Sequence, residues 1–187
     1  MKPLALIATL ACALGLAAPA SAQKVKLATS MGDIVVQLDA EKAPKTVANF
    51  LQYVKSGHYN GTVFHRVIDG FMVQGGGMSA EMQEKPTRPA IPLEARNGLS
   101  NVRGMLAMAR TQAPDSATAQ FFINVGDNLR LDAANAADGN GYAVFGQVLE
   151  GMDVVDRIKT VPVGNKAGHQ NVPQKAVVIQ QATLLEK

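Results

Sequence analysis

The chain has 187 residues, 47% hydrophobic and 18% charged, with a formal net charge of +3. Its basic residues are scattered and form no run, so neither a nucleic acid nor an acidic lipid surface is implied as a partner. Cys12 is the only cysteine.

Residues Met1 to Ala22 read as a cleavable signal peptide. Lys2 is the positive n-region, Leu4 to Ala18 the apolar h-region and Ala20-Ser21-Ala22 the small-residue cleavage site. The apolar run is short for a membrane span, and Thr9-Leu10-Ala11 makes a poor lipobox before Cys12. Removal of this leader leaves about 165 residues, 23–187, expected to form one domain with one sizeable core. The mature chain then keeps a net charge of +2 and no thiol. That suits an oxidising compartment and rules out disulfides, thiol catalysis and thiolate metal ligands.

Lys24 to Thr29 and Asp33 to Leu38 are strand-like and are separated by Ser30-Met31-Gly32, a hairpin signal. Ala43-Pro44 opens a helix with proline at its first position. Val47, Phe50, Leu51 and Val54 follow at helical spacing, and Lys55 and Gly57 mark the end. Tyr59 to Gly77, YNGTVFHRVIDGFMVQGGG, is the densest stretch of the chain. Val63 to Ile68 and Phe71 to Gln74 read as two strands joined by Asp69-Gly70 turn chemistry. A two-residue loop would place Arg66 opposite Val73. A three-residue bulged loop would pair Arg66 with Gln74 and Ile68 with Met72 on one face. The bulged loop is the expected register, because it sets a polar pair beside an apolar surface.

Met78 to Leu93, with its prolines and no period, should be a long surface loop, and Asn97-Gly98 a turn. Met105 to Ala109, Gln120 to Val125 and Tyr142 to Val148 are strands, separated by polar loops at 110–119 and 128–141. Gly151-Met152 leads into a short helix with Val154, Val155 and Ile158 on its apolar side. Pro162 to Pro173 reads as loop and Lys175 to Leu185 as the last strand. Many short strands with two helices suggest a closed antiparallel barrel, since closure removes exposed edges.

Tyr59, Thr62, Phe64-His65-Arg66-Val67-Ile68, Phe71-Met72 and Gln74-Gly75-Gly76 resemble the signature of the cyclophilins, the peptidyl-prolyl cis-trans isomerases. Met105 to Arg110, Gln120 to Asn124 and Tyr142 to Gly146 are similar to later blocks of that family, and the nearest likeness is to periplasmic cyclophilins of Gram-negative bacteria. The resemblance implies an all-β fold: a closed eight-stranded antiparallel β-barrel with two capping helices and a binding site on its outer wall. It implies rotation of X-Pro bonds in unfolded or exported polypeptides, assisting folding in the periplasm. Rotation breaks no bond, so neither cofactor nor metal is expected.

The same resemblance suggests site residues. Arg66, Phe71 and Gln74 would be catalytic, with Arg66 donating to the prolyl nitrogen. Met72, Phe122 and Leu131, with Phe71, would line a proline slot, and Tyr142 would stand at its edge. Gln74 and Gln120 would grip the peptide backbone, joined by strand-like contacts from the backbone of Ala109 and Arg110. Three residues depart from the family pattern: Arg110 replaces an Asn, Tyr142 a His and Arg130 a Trp. The last change implies weak binding of the macrocycle cyclosporin. A monomer is expected. His65 should point to the opposite face from Arg66 by alternation. His58 and His169 are expected in loops, without metal-ligand spacing. Two other readings are a binding module that uses the same groove without turnover, and a barrel that carries an apolar ligand inside.

Overall fold

In the computed structural model, which describes residues 23–185, the first hairpin sets the pattern for the barrel. β1 (Lys24–Thr29) and β2 (Gly32–Leu38) pair antiparallel, with Leu27 opposite Ile34. Val25, Leu27, Ile34, Val36 and Leu38 are buried, while Lys24 is exposed and Lys26 only half-buried. A strand that alternates in this way has one dry face and one wet face. The expected signal peptide lies outside the described residues.

α1 (Pro44–Lys55) begins on proline and has no side-chain cap of its own. Glu94 supplies one from a distant loop. Its carboxylate accepts from Lys45 N at 3.1 Å, Thr46 N at 2.8 Å and Thr46 Oγ1 at 2.7 Å. An anion at this position satisfies orphan N–H groups and the positive end of the helix dipole. The four apolar residues expected on one face are all buried.

Further along the chain come β3 (Thr62–Ile68), β4 (Met72–Met78), β5 (Met105–Met108), β6 (Phe121–Asn124), β7 (Val144–Glu150), α2 (Met152–Lys159), β8 (Val163–Lys166), β9 (His169–Pro173) and β10 (Val178–Leu185). Eight strands close into an antiparallel barrel in the order β1-β10-β3-β4-β6-β5-β7-β2. Phe64, Phe121 and Phe145 are fully buried in its core, along with Phe50 of α1. Phe121 meets Phe50, Tyr59 and Phe64 edge-on, at 5.4, 5.5 and 6.3 Å between ring centroids. These are the arrangements aromatic quadrupoles favour. Val154, Val155 and Ile158 of α2 join the same core. Side chains occupy the space that a ligand-carrying barrel would keep open.

Two expectations are corrected away from the site. Residues 162–173 are not a loop: β8 and β9 form a separate two-stranded sheet, which places His169 on a strand. Their turn residues Ala167 and Gly168 both have positive φ, 50° and 81°. That geometry matches the twist of a hairpin, but Ala-Gly announces it poorly, and the strands carry no alternation, β8 being mostly exposed and β9 buried only at Val172 and Pro173. Second, β4 does not stop at Gln74; it runs on through Gly75, Gly76 and Gly77 to Met78. Glycine is depleted in strands, yet here each one admits a neighbour. A Cβ on Gly75 would lie 2.8 Å from the Phe64 ring, and one on Gly76 2.9 Å from Tyr59.

The β3–β4 register is the bulged one. Ile68 faces Met72, Val67 faces Val73 and Arg66 faces Gln74, across the loop Asp69-Gly70-Phe71. Phe71 therefore ends the loop rather than starting the strand, and its N–H donates to the Ile68 carbonyl at 3.1 Å. A second irregularity sits at His65. Phe64 pairs with Gly75 and Arg66 with Gln74, so His65 is an extra residue on its strand. Phe64 and Val67 both enter the core, which leaves His65 and Arg66 together off it. The expected opposition of His65 and Arg66 fails because the bulge interrupts the alternation. His65 is only 5% exposed. Burial, with His169 and Arg66 nearby, lowers its pKa to about 4.

Two measurements test this part of the structure. Gly76→Ala and Gly61→Ala both force alanine to positive φ, but only the first meets side chains within 4 Å. Urea unfolding should show a loss of about 1 kcal/mol for Gly61→Ala and about 2–4 kcal/mol for Gly76→Ala, where overpacking adds to strain. Equal losses would remove the packing explanation. For His65, the unfolded chain takes a proton near pH 6.5 and the folded chain only near pH 4. Stability from this group is thus full above pH 6.5 and lost as pH falls through that window, by up to about 3 kcal/mol. Imidazole NMR should find His65 neutral at pH 5, and a protonated ring at that pH would refute its burial.

Candidate active site

The alternation that fills the barrel also builds a site outside it. Val73, Phe121, Ile123 and Leu106 turn into the main core. Their neighbours Met72, Phe122 and Ala107 form a second buried cluster with Val144, overlaid by Ile68, Phe71, Leu131 and Tyr142. Gln74 lies opposite Phe122 on the adjoining strand. The result is a cleft of about 160 Å³ lined by Arg66, Phe71, Met72, Gln74, Ala109, Arg110, Phe122, Leu131 and Tyr142. Of the ten residues predicted for the site, Gln120 alone is not in the lining, and it joins through Gln74.

A polar line runs along one side of this apolar floor. Arg66 Nη1 donates to Gln74 Oε1 at 3.3 Å, and Gln74 Nε2 donates to Gln120 Oε1 at 3.0 Å. The amide of Gln74 is thereby oriented at both ends. Gln120 lies flat over Gly77, where a Cβ would come within 2.7 Å of its Nε2. Arg66 is half-buried and has no carboxylate partner among the described residues. A guanidinium carries five N–H donors and is always charged, so most of its donating capacity faces the cleft and solvent.

The opposite side is a loop held by buried amides. Asn128 Nδ2 donates to the Phe71 carbonyl and to Asn124 Oδ1, both at 2.8 Å. Asn128 N reaches the Asn101 carbonyl at 2.8 Å, and Asp132 Oδ1 accepts from Asn101 N at 2.7 Å. Tyr142 N then closes onto the Leu131 carbonyl at 2.9 Å. Asn101, Asn124 and Asn128 are essentially inaccessible. Sequence reasoning missed this network, because Asn101 and Asn128 lie in loops, where an Asn ordinarily signals only a turn, and Asn124 ends a strand.

Arg110 plays a larger part than its backbone. Its side chain is 2% exposed, with Nε donating to the Gly141 carbonyl at 2.8 Å and Nη2 bound to Asp138. Its guanidinium lies 4.6 Å from the centre of the Tyr142 ring, which in turn meets Phe122 edge-on at 5.8 Å. Hydrogen bonds from Asn140 N, Arg110 and Gly141 N hold the Asp138 carboxyl down to about 2. Arg110 is thus a cationic staple that fixes the ring at the cleft edge. Of the expected backbone contacts, the N–H of Ala109 is already taken by the Gln120 carbonyl at 3.0 Å. The Ala109 carbonyl and the Arg110 N–H have no hydrogen-bond partner among the described residues. Arg130 sits above the floor, its guanidinium 4.5 Å from the centre of the Phe71 ring.

The chemistry on offer is donation and apolar contact rather than proton transfer. His65 is neutral and Asp138 is locked in an ion pair. The arrangement suits a small ring in the slot with its polar backbone against Arg66 and Gln74.

Comparison with known proteins agrees with this geometry. The family described as cyclophilin-type peptidyl-prolyl cis-trans isomerase/CLD matches residues 24–184. Peptidyl-prolyl cis-trans isomerase A of Dickeya dadantii is 55% identical over 87% of this chain and 85% of its own. Peptidyl-prolyl cis-trans isomerase B of Escherichia coli is 55% identical over 84% of this chain and 97% of its own. The crystal structure of a cyclophilin-type isomerase from Cryptosporidium parvum superposes with a TM-score of 0.73 at 26% identity, covering 89% of this chain and 99% of that one. With a family match spanning the whole barrel and relatives more than half identical to it, the chain belongs to the cyclophilin-type peptidyl-prolyl cis-trans isomerases.

Proposed function

We propose that this isomerase acts on proline-containing segments of unfolded or exported polypeptides in the periplasm, with Arg66 as the group that lowers the barrier. The carrying observation is the Arg66–Gln74 pair held at 3.3 Å beside an apolar slot. Rotation about an X-Pro amide is slow because the C–N bond has partial double-bond character, with a barrier of ~18–20 kcal/mol. At the top of that barrier the prolyl nitrogen regains a lone pair. A donor aimed at it stabilises the twisted amide more than either planar one. Gln74 holds the guanidinium in place, and Phe71, Met72, Phe122 and Leu131 take the ring. Three ring methylenes contribute only ~2 kcal/mol of apolar binding, so recognition is weak and broad, as many unrelated clients require. A relative from Cryptosporidium parvum has been crystallised in the presence of the dipeptide Ala-Pro, a ligand of the size this slot suits.

The test of the Arg66 role is Arg66→Ala, followed by circular dichroism and isomerisation rate together. The fold should persist while turnover falls by ~3–4 kcal/mol, about 10²–10³-fold. A folded variant with undiminished turnover would overturn the assignment. Localisation rests on residues 1–22 of the sequence. N-terminal sequencing of protein from a periplasmic fraction should begin at Gln23, and an intact Met1 in the cytoplasm would refute it. Cyclosporin should bind weakly, because Arg130 covers Phe71 with a stem and a solvated charge rather than an indole. Arg130→Trp should tighten inhibition by about 1.5–3 kcal/mol. A parent protein already inhibited as tightly as the variant would show that this wall does not matter.

A further inference from the structure

Three arginines surround the cleft, and their charges are balanced differently. Arg110 is buried and neutralised by Asp138. Among the described residues Arg66 has only the amide of Gln74 as a side-chain hydrogen-bond partner. Arg130 is exposed, and among the described residues no carboxylate lies within salt-bridge distance of it. The acids nearest to it in sequence are turned elsewhere: Asp127 Oδ1 accepts from Arg103 N at 2.9 Å and Asp132 Oδ1 from Asn101 N at 2.7 Å.

Arg130 is nonetheless well placed. It belongs to the short 3-10 turn Leu129–Leu131, whose base is pinned by the buried amide of Asn128 to the Phe71 carbonyl at 2.8 Å. Its guanidinium lies over the Phe71 ring at 4.5 Å. A guanidinium over a ring can still donate from its N–H groups, and among the described residues none of those of Arg130 is hydrogen-bonded. A carboxylate accepts two of those N–H groups in parallel. The floor of the proline slot therefore carries, on its outer side, a positioned and unpaired carboxylate receptor.

We propose that Arg130 makes this isomerase select prolines that have an acidic side chain close by in the sequence, Asp or Glu within about two residues. The inference rests on the isomerase reading of the cleft. A residue in extended chain advances about 3.3 Å, so a side chain one or two positions from a proline seated on Phe71 comes within reach of Arg130. The pair is solvent-exposed, which limits its effect to about two- to fivefold in kcat/KM. The effect should appear in KM, since the contact exists in both planar and twisted states of the amide.

The experiment measures cis-trans exchange by NMR on short peptides with one proline, so that no coupling protease imposes its own preference. Glu, Gln or Lys is placed one residue before, one after or two after the proline. The expected result is a Glu-over-Gln preference of about two- to fivefold in kcat/KM at one of these positions, falling as salt rises from low to 0.5 M. In Arg130→Gln the Glu/Gln ratio should drop to about one, whatever the absolute rate. Arg130→Glu should favour the Lys peptide instead. Catalysed exchange with equal kcat/KM for Glu and Gln overturns the inference while leaving the isomerase reading intact. A preference that survives in Arg130→Gln also overturns it and assigns the selection to Arg66. No catalysed exchange on any peptide overturns the isomerase reading itself, and the inference with it.

Discussion

Arg66 stands opposite Gln74 across the β3–β4 hairpin, and the rest of the site depends on that pairing. A strand in a filled barrel has no spare face. Slipping the register by one residue would send Gln74 into the aromatic core and bring Val73 out into water. The loop Asp69-Gly70-Phe71 sets the register at one end, and the bulge at His65 corrects it at the other. Between them the hairpin presents a cation, an amide and two apolar side chains outward while Phe64, Val67 and Val73 stay in the core. The site is held by the same burial that holds the fold.

The remaining wall is not made of strands, and it is rigid for a different reason. The 126–143 loop has little apolar surface to anchor it. Buried polar groups anchor it instead. Asn128 grips the Phe71 carbonyl, Asn101 meets Asp132, and Arg110 is clamped between Asp138 and Tyr142. Removing one partner from such a network leaves another polar group buried without a bond, at a cost of about 1–3 kcal/mol. This gives the loop a geometry that a chain of Ala, Asn, Asp and Gly would not otherwise keep. It also explains how an exposed arginine such as Arg130 can be positioned over Phe71 with no carboxylate partner among the described residues.

The sequence by itself determined most of the framework. Alternation marked the first hairpin, the spacing of Val47, Phe50, Leu51 and Val54 marked α1, and the Arg66–Gln74 register followed from turn chemistry and face matching. Nine of the ten anticipated site residues line one cleft; four of them, Arg66, Met72, Gln74 and Phe122, lie on strands, and the other five were legible only through the family resemblance. What only the tertiary structure decided has a common cause: each depends on a neighbour distant in sequence. The glycines of β4 are explained by Phe64, Tyr59 and Gln120 pressing against them. His65 joins the face of Arg66 because a bulge forms against Gly75 and Gln74. Residues 163–173 become a hairpin although their composition carries no alternation to announce it. Arg110 and the buried asparagines acquire their roles from loop closure across dozens of residues. Local periodicity encodes which way a side chain points. Which partner waits there is settled only when the chain closes on itself.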